Sequence, residues 1–424
     1  MTLHPRHTFL AHCMSSSTSS KVPLLWQTEI DSDTSISTLQ LLSWGRGSSG
    51  QLGGGIEEIR AYPTPVASFH LPSNYRLSPT SGLLREPSAD SSAFEKLSLS
   101  EIGISCGFFH SCLLINGNVW MWGKGDGGRL GFGHENPAFS PTLNPNLDSV
   151  QSTALGGLHS VALTSLGDVY TWGYGGFGAL GHSIYTRELL PRMINKAWSG
   201  KICQIATSGA HTAAVSEFGD LYTWGRDEGD GRLGLGPGRG PNEEGQLWNW
   251  GANSNCELGR GNKVGGWKPQ AVPSLQDVRI IQIACGGYHS LALTDEGKVL
   301  SWGHGGHGQL GHSSIENQKV PLLIEALAEE NVVYVACEGS TSAAITDKGK
   351  LYMWGNSRDC QLGVPGLLEV QHLPVEVKFP VEYDGLGPHY VLSVAIGASH
   401  AMCLVLRSPS QTTEESKFII LAEN

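Results

Sequence analysis

The chain has 424 residues, a formal net charge of −11, 40% hydrophobic and only 16% charged residues, the composition of a globular protein rather than a disordered one. The acidic balance argues against general phosphate-backbone binding, so direct DNA binding is not expected. No apolar run approaches the roughly 20 residues that cross a bilayer, so no membrane insertion is expected either.

The first 28 residues contain no Asp or Glu, carry Arg6 and Lys21, and are rich in Ser and His. That composition suits an organellar transit peptide, the alternative being a leader without an address. Residues 1–40 are read as this leader, and a mitochondrial location follows from it, with nucleus or cytoplasm as the alternatives.

From Leu41 onward the chain repeats itself. Trp-Gly occurs at Trp44, Trp122, Trp172, Trp224, Trp250, Trp302 and Trp354, in steps of 50 or 52 residues broken by one of 78 and one of 26. Upstream of most pairs stands Gly-x-x-His-Ser/Thr, with His110, His159, His211 and His289 each 12 or 13 residues before a Trp. Thr341 replaces the His in one unit, and His400 has no Trp after it. Within a unit, Ser160–Thr164 and Asp168–Trp172 flank a Gly-containing turn, two β-rich runs that read as a hairpin. A period near fifty residues implies units that bury their faces only on each other, and four short antiparallel strands per unit make a propeller blade.

The orphan ends complete each other. The Leu41–Trp44 strand lacks a His unit and the His400 unit lacks a Trp strand, so their pairing closes a seven-bladed all-β propeller over residues 41–407 and removes two sheet edges. The 78-residue step places an insertion at 54–100, rich in Ser and Pro. The 26-residue step removes the His-bearing half of one blade, about 226–267, which should leave sheet edges and faces uncovered. Residues 408–424 read as a disordered tail.

The pattern Gly-x-x-His-Ser/Thr-x-Ala-Leu-Thr-x-x-Gly-x-Val-Tyr-x-Trp-Gly-x-Gly-x-x-Gly-x-Leu-Gly, clearest from His289 to Gly311 and from His159 to Gly181, resembles the regulator-of-chromosome-condensation repeat. The resemblance runs from about Leu41 to Leu406 and implies the seven-bladed fold. That family includes exchange factors for the GTPase Ran, an ultraviolet-B photoreceptor, mitochondrial members and interaction modules, and fold does not choose among them. The resemblance implies acidic residues before the repeat His in exchange factors and Trp-Arg in the photoreceptor. Here the pairs are Phe108-Phe109, Gly157-Leu158, Gly209-Ala210, Gly287-Tyr288, Gly339-Ser340 and Ala398-Ser399. None is acidic and none holds Trp or Arg, which argues against both activities.

Gly173–Gly178 and Gly303–Gly308 fit Gly-x-Gly-x-x-Gly but lead into no helical run, so they are turns rather than a dinucleotide site. The repeat histidines are expected to hold their blades by hydrogen bonds, and the repeat tryptophans to anchor the core. His304, His307 and His312 lack the further ligands zinc needs, so no metal or cofactor is expected. Cys106, Cys285 and Cys337 recur four residues before the His position and are expected to be buried in a reducing compartment. The sequence thus points to a non-enzymatic scaffold for a protein or ribonucleoprotein partner, resembling plant mitochondrial members in RNA processing or complex assembly. Phe108, Phe109, Leu158 and Tyr288 are the expected contact residues, with burial of the Phe pair under the insertion as the alternative. Guanine-nucleotide exchange on a small GTPase is the alternative function.

Overall fold

A computed structural model describes residues 24–27, 36–72, 102–195, 198–227, 231–233, 247–380 and 386–407. The first and last described strands share one sheet: β1 (Leu24–Gln27), β2 (Ile36–Arg46) and β3 (Ile59–Pro72) join β25 (Tyr390–Ile396) and β26 (His400–Arg407) in the order β1-β3-β2-β26-β25. Four further sheets have four strands each, in chain order from the axis outward or the reverse. The first holds β4 (Ile102–Cys106), β5 (His110–Ile115), β6 (Asn118–Gly123) and β7 (Ala138–Leu143). The second holds β8 (Val150–Leu155), β9 (His159–Thr164), β10 (Val169–Gly173) and β11 (Glu188–Met193). Between these and the remaining pair lie a three-stranded sheet, β12 (Ile202–Thr207), β13 (His211–Ser216) and β14 (Leu221–Gly225), and a two-stranded one, β15 (Trp248–Gly251) and β16 (Gly266–Ala271). The last two sheets are β17 (Ile280–Cys285), β18 (His289–Thr294), β19 (Val299–Gly303), β20 (Gln318–Leu323), and β21 (Val332–Glu338), β22 (Thr341–Thr346), β23 (Leu351–Asn356), β24 (Val370–Glu376).

The second strand of each complete blade is buried on both faces, as in β5, β9 and β22, and after its first two polar residues it continues as a short, mainly apolar run. In the four-stranded sheets the fourth strand is the exposed rim, and each one carries a proline: Pro141, Pro191, Pro321 and Pro374, with Pro269 in the outer strand β16. Proline cannot donate to a ladder, so it is confined to such edges and blunts them against further pairing.

Ring closure repeats the register found inside a blade. Trp44 lies opposite Ala401 and Gly45 opposite His400, as Trp172 lies opposite Ser160 and Gly173 opposite His159. Leu39, Leu41, Leu42 and Trp44 are fully buried there, and each such side chain contributes roughly 1.5–3 kcal/mol of burial free energy. The closing sheet starts earlier than expected: Thr38 pairs with Arg407 and Ile36 with Pro72, so part of the 1–40 leader is blade. Likewise Ile59–Pro72, inside the expected 54–100 insertion, is the rim strand β3, because β2 needs an outer partner. Residues 1–23, 73–101 and 408–424, where the transit peptide, the rest of the insertion and the tail were expected, lie outside the described residues.

The number of blades differs from the expected seven. Among the described residues six inner strands surround the axis, in contact along the series β17, β21, β25, β4, β8 and β12. The propeller is therefore six-bladed, with β15 and β16 wedged as an outer half-sheet into the seam between the β12 and β17 blades. The shortened segment removed the inner hairpin of one unit, so what survives of that unit never reaches the axis. Among the described residues the β12–β14 sheet has three strands, and residues 234–246, which follow it, are not among them.

Candidate interaction rim and the seams beneath it

Because neighbouring strands run antiparallel, the loops before each repeat His and the loops after each Trp-Gly emerge on the same rim. Phe108 reaches sideways from its own loop. A side-chain carbon placed on Gly157 would meet its ring at 2.9 Å, and one on Gly209 at 3.3 Å, so the ring lies against the loops of the next two blades. Phe109 stands edge-on to Phe108, with centroids 6.4 Å apart, and Lys124 sits 5.7 Å above the Phe109 ring. On the following blades Tyr174 packs edge-on to Phe177 at 5.6 Å, and the Arg226 guanidinium covers Phe177 at 4.7 Å. Tyr288 is 58% exposed and meets His304 at 6.4 Å, with His307 beyond it.

The four expected contact residues therefore do not form one patch. Phe108 and Phe109 lie together and half-buried, Leu158 is half-buried on the adjacent blade, and Tyr288 belongs to a separate cluster with His304. The described residues that touch the Phe pair are loops of neighbouring blades and Lys124. Sequence reasoning did not assign Lys124, Tyr174, Arg226 or His304 to the rim, and weighed His304 only as a metal ligand. All four directly follow a Trp-Gly pair, a column of the repeat that could have been read.

Beneath the rim, every seam between complete blades uses the carbonyl seven residues after a Trp. Arg129 O accepts both the Trp172 indole N–H at 2.8 Å and the Ser160 hydroxyl at 2.8 Å, and His110 Nε2 lies 2.9 Å from that hydroxyl. Since the hydroxyl's one proton goes to the carbonyl, His110 must donate through Nε2–H, leaving Nδ1 bare. The same station recurs with His159, Thr212, Trp224 and Ala179 O; with His289, Ser342, Trp354 and Gln309 O; and with His400, Ser111, Trp122 and Gln51 O. These histidines bind the next blade rather than holding their own, as was expected of them.

The exceptions are informative. Thr341 replaces the His where the facing position is Ala401, so donor and acceptor are lost together. Glycine precedes each of the four cross-seam histidines by three residues, and a side-chain carbon on Gly107, Gly156, Gly286 or Gly397 would sit 2.2–2.6 Å from that blade's own imidazole. In the Thr341 unit no ring is present and Glu338 occupies the glycine position, its carboxylate accepting the Gly339 N–H at 3.0 Å. Burial raises that carboxyl above its ordinary range.

Burial drives the imidazoles the other way. His159 and His400 are held down to about 4 and His289 to about 3, and His110 lies well below its ordinary value, with the Arg129 guanidinium adding to the effect of burial. Their bare Nδ1 atoms are buried without a hydrogen-bond partner, so a proton there would meet neither water nor acceptor. These are neutral structural groups, and the hydroxyl beside each one is held as a donor to a backbone carbonyl. Among the described residues no group of three or more His, Cys, Asp or Glu is arranged to hold a metal, and no helix is long and apolar enough to cross a membrane. Of the three repeat thiols only Cys106 is buried as expected; Cys337 is half-buried, and Cys285, beside the interrupted seam, is exposed.

The family model described as the regulator of chromosome condensation (RCC1) repeat matches residues 116–163, 167–215, 244–293, 296–345 and 348–404. The chain is similar to the mitochondrial RCC1 domain-containing protein RUG3 of Arabidopsis thaliana, with 61% identity over 92% of this chain and 93% of that protein. It is 31% identical to the ultraviolet-B receptor UVR8 of the same plant, over 72% of this chain and 74% of the receptor. Among solved structures it resembles Prp20p of Saccharomyces cerevisiae, described with binding properties toward Gsp1p and histones, with a TM-score of 0.70 and 19% identity over 91% of this chain and 96% of that one.

Proposed function

The chain belongs to the regulator of chromosome condensation repeat family, and from that premise we propose that it is a non-enzymatic scaffold whose protein or ribonucleoprotein partner seats on the aromatic rim. One observation carries this reading: consecutive blades present rings braced by cations, Phe109 under Lys124 and Phe177 under Arg226, with Tyr174 exposed beside Phe177 and Tyr288 exposed in a separate cluster on the same rim. Rigid aromatic and Arg side chains are the usual anchors of protein interfaces. The 61% identity to a protein named as mitochondrial supports a mitochondrial site of action; RNA processing or complex assembly is the proposed work there. The neutral, interior histidines supply no chemistry at the rim.

The test is recovery of partners from isolated mitochondria with the intact chain and with a triple variant, Phe109→Ala, Tyr174→Ala and Tyr288→Ala, whose melting temperature is checked first. Loss of the same bound set from the folded variant supports the rim; undiminished recovery overturns it. Guanine-nucleotide exchange is the second reading, favoured by the fold likeness to Prp20p and disfavoured by the absence of acidic residues in the pairs before the repeat histidines. Catalytic release of nucleotide from a purified Ran-like GTPase would establish it. A fluorescent fusion placed after the last residue, leaving the first residues untouched, checks the compartment.

A further inference from the structure

The interrupted seam has the features of a site built for a β-strand. In six of the seven Trp-Gly pairs, a side-chain carbon on the glycine would meet the backbone that begins the adjacent strand: Leu158 O at 2.7 Å for Gly173, Tyr288 O at 2.6 Å for Gly303, Ser399 O at 2.5 Å for Gly45. Gly251 has the same backbone, φ +109°, yet its nearest described neighbour is Arg232 Cα at 3.7 Å. The β15 strand is thus shaped for a partner strand that no described residue provides.

Both walls of this slot carry half of a seam station. On the β12 side His211 has no Ser or Thr of a following blade and instead meets the Ser208 hydroxyl of its own loop, at 2.8 Å from Nδ1. On the β17 side Ser290 has no histidine before it, and its hydroxyl lies 3.4 Å from Glu257 O where intact stations show 2.8–2.9 Å. Trp224 and Trp250 are half-buried, whereas Trp122, Trp172 and Trp354 are fully buried. Ile283, on the inner strand facing the gap, is 51% exposed.

We infer that this slot binds, in trans, a β-hairpin carrying Gly-x-x-His-Ser/Thr, the inner hairpin of a repeat of this same type. Its second strand pairs with β15 and packs its first residues on Gly251. Its hydroxyl accepts His211, and its histidine donates to Ser290. Its first strand enters between β12 and β17 and completes the ring of inner strands. The occupant is fixed by complementarity, because each wall continues the blade-to-blade interface that the intact seams show filled, and strand addition supplies affinity through main-chain bonds. This reading is independent of what binds the rim.

The test uses the full chain and a synthetic peptide of residues 150–164, extended by lysines for solubility. Saturable binding, a raised melting temperature, and at least tenfold weakening by His→Ala at the peptide's repeat position are expected. Ser290→Ala in the chain should weaken binding by a similar factor, with no further loss when both changes are combined. A chain with a 26-residue inner hairpin inserted between β14 and β15 should not bind the peptide. No binding, equal binding of a scrambled peptide, or undiminished binding by the filled chain overturns the inference. So does self-association of the chain that the peptide fails to disperse, which would make a second copy the occupant.

Discussion

Removing one hydroxyl at an intact seam should reveal how the blades are held together. Ser160→Ala leaves the His110 Nε2–H without an acceptor in a place where both residues are fully buried, and takes one of two donors from Arg129 O. An orphaned buried donor costs about 1–3 kcal/mol and the lost hydroxyl bond about 1, so the change should destabilise by about 2–4 kcal/mol. His110→Thr alone should cost a similar amount, largely through the cavity left by the ring. The double variant reproduces the Thr341–Ala401 pair, in which neither partner is orphaned. It should therefore be more stable than the sum of the single losses predicts, by about 1–3 kcal/mol. Urea unfolding followed by Trp fluorescence measures all four proteins, with equal slopes as the condition for comparing them. Additivity within about 0.5 kcal/mol would show that the histidine and the hydroxyl act separately, and would refute the station as a unit.

Three further outcomes are expected. Stability should be fullest above pH 6.5 and fall as the pH drops toward 4, since the folded state holds His159, His289 and His400 below their unfolded value and an acidic solution protonates the unfolded chain first. Each group sets an upper bound of roughly 3–5 kcal/mol, largest for His289, and acid titration of the urea midpoint shows whether the loss falls in that window. Gly173→Ala should cost about 3 kcal/mol or more, because φ is +107° and the added carbon meets Leu158 O at 2.7 Å, whereas Gly251→Ala should pay only the backbone term of about 1–2 kcal/mol; equal losses in thermal melts would contradict the open slot. Trp172→Phe should destabilise more than Trp250→Phe, the former fully buried and the latter half-exposed though both donate to a carbonyl 2.8 Å away. Calorimetry on the two variants compares them directly.

The repeat period, the apolar second strands, the Trp-Gly pairs and the joining of the two chain ends were all legible in the residues. Local chemistry imposes them: glycine where the backbone turns left-handed against a neighbouring strand, β-branched runs where both faces are covered, tryptophan where a blade needs bulk. The shortened unit was legible too, as a step of 26 residues between Trp224 and Trp250. Its consequence was not, because spacing counts residues but does not say which strand reaches the axis. Only the folded wheel shows that β15 and β16 stop short of it and leave six inner strands. The role of the histidines needed the fold for a similar reason. His110 and Ser160 are 50 residues apart, and reading the repeat one unit at a time assigns each side chain to its own blade. Setting Thr341 beside Ala401 and Glu338 would have exposed the link, since those three exceptions make sense only if the bond crosses to the next blade. The rim differs again: which rings meet which cations depends on loops from separate blades converging, and no single segment of chain contains that geometry.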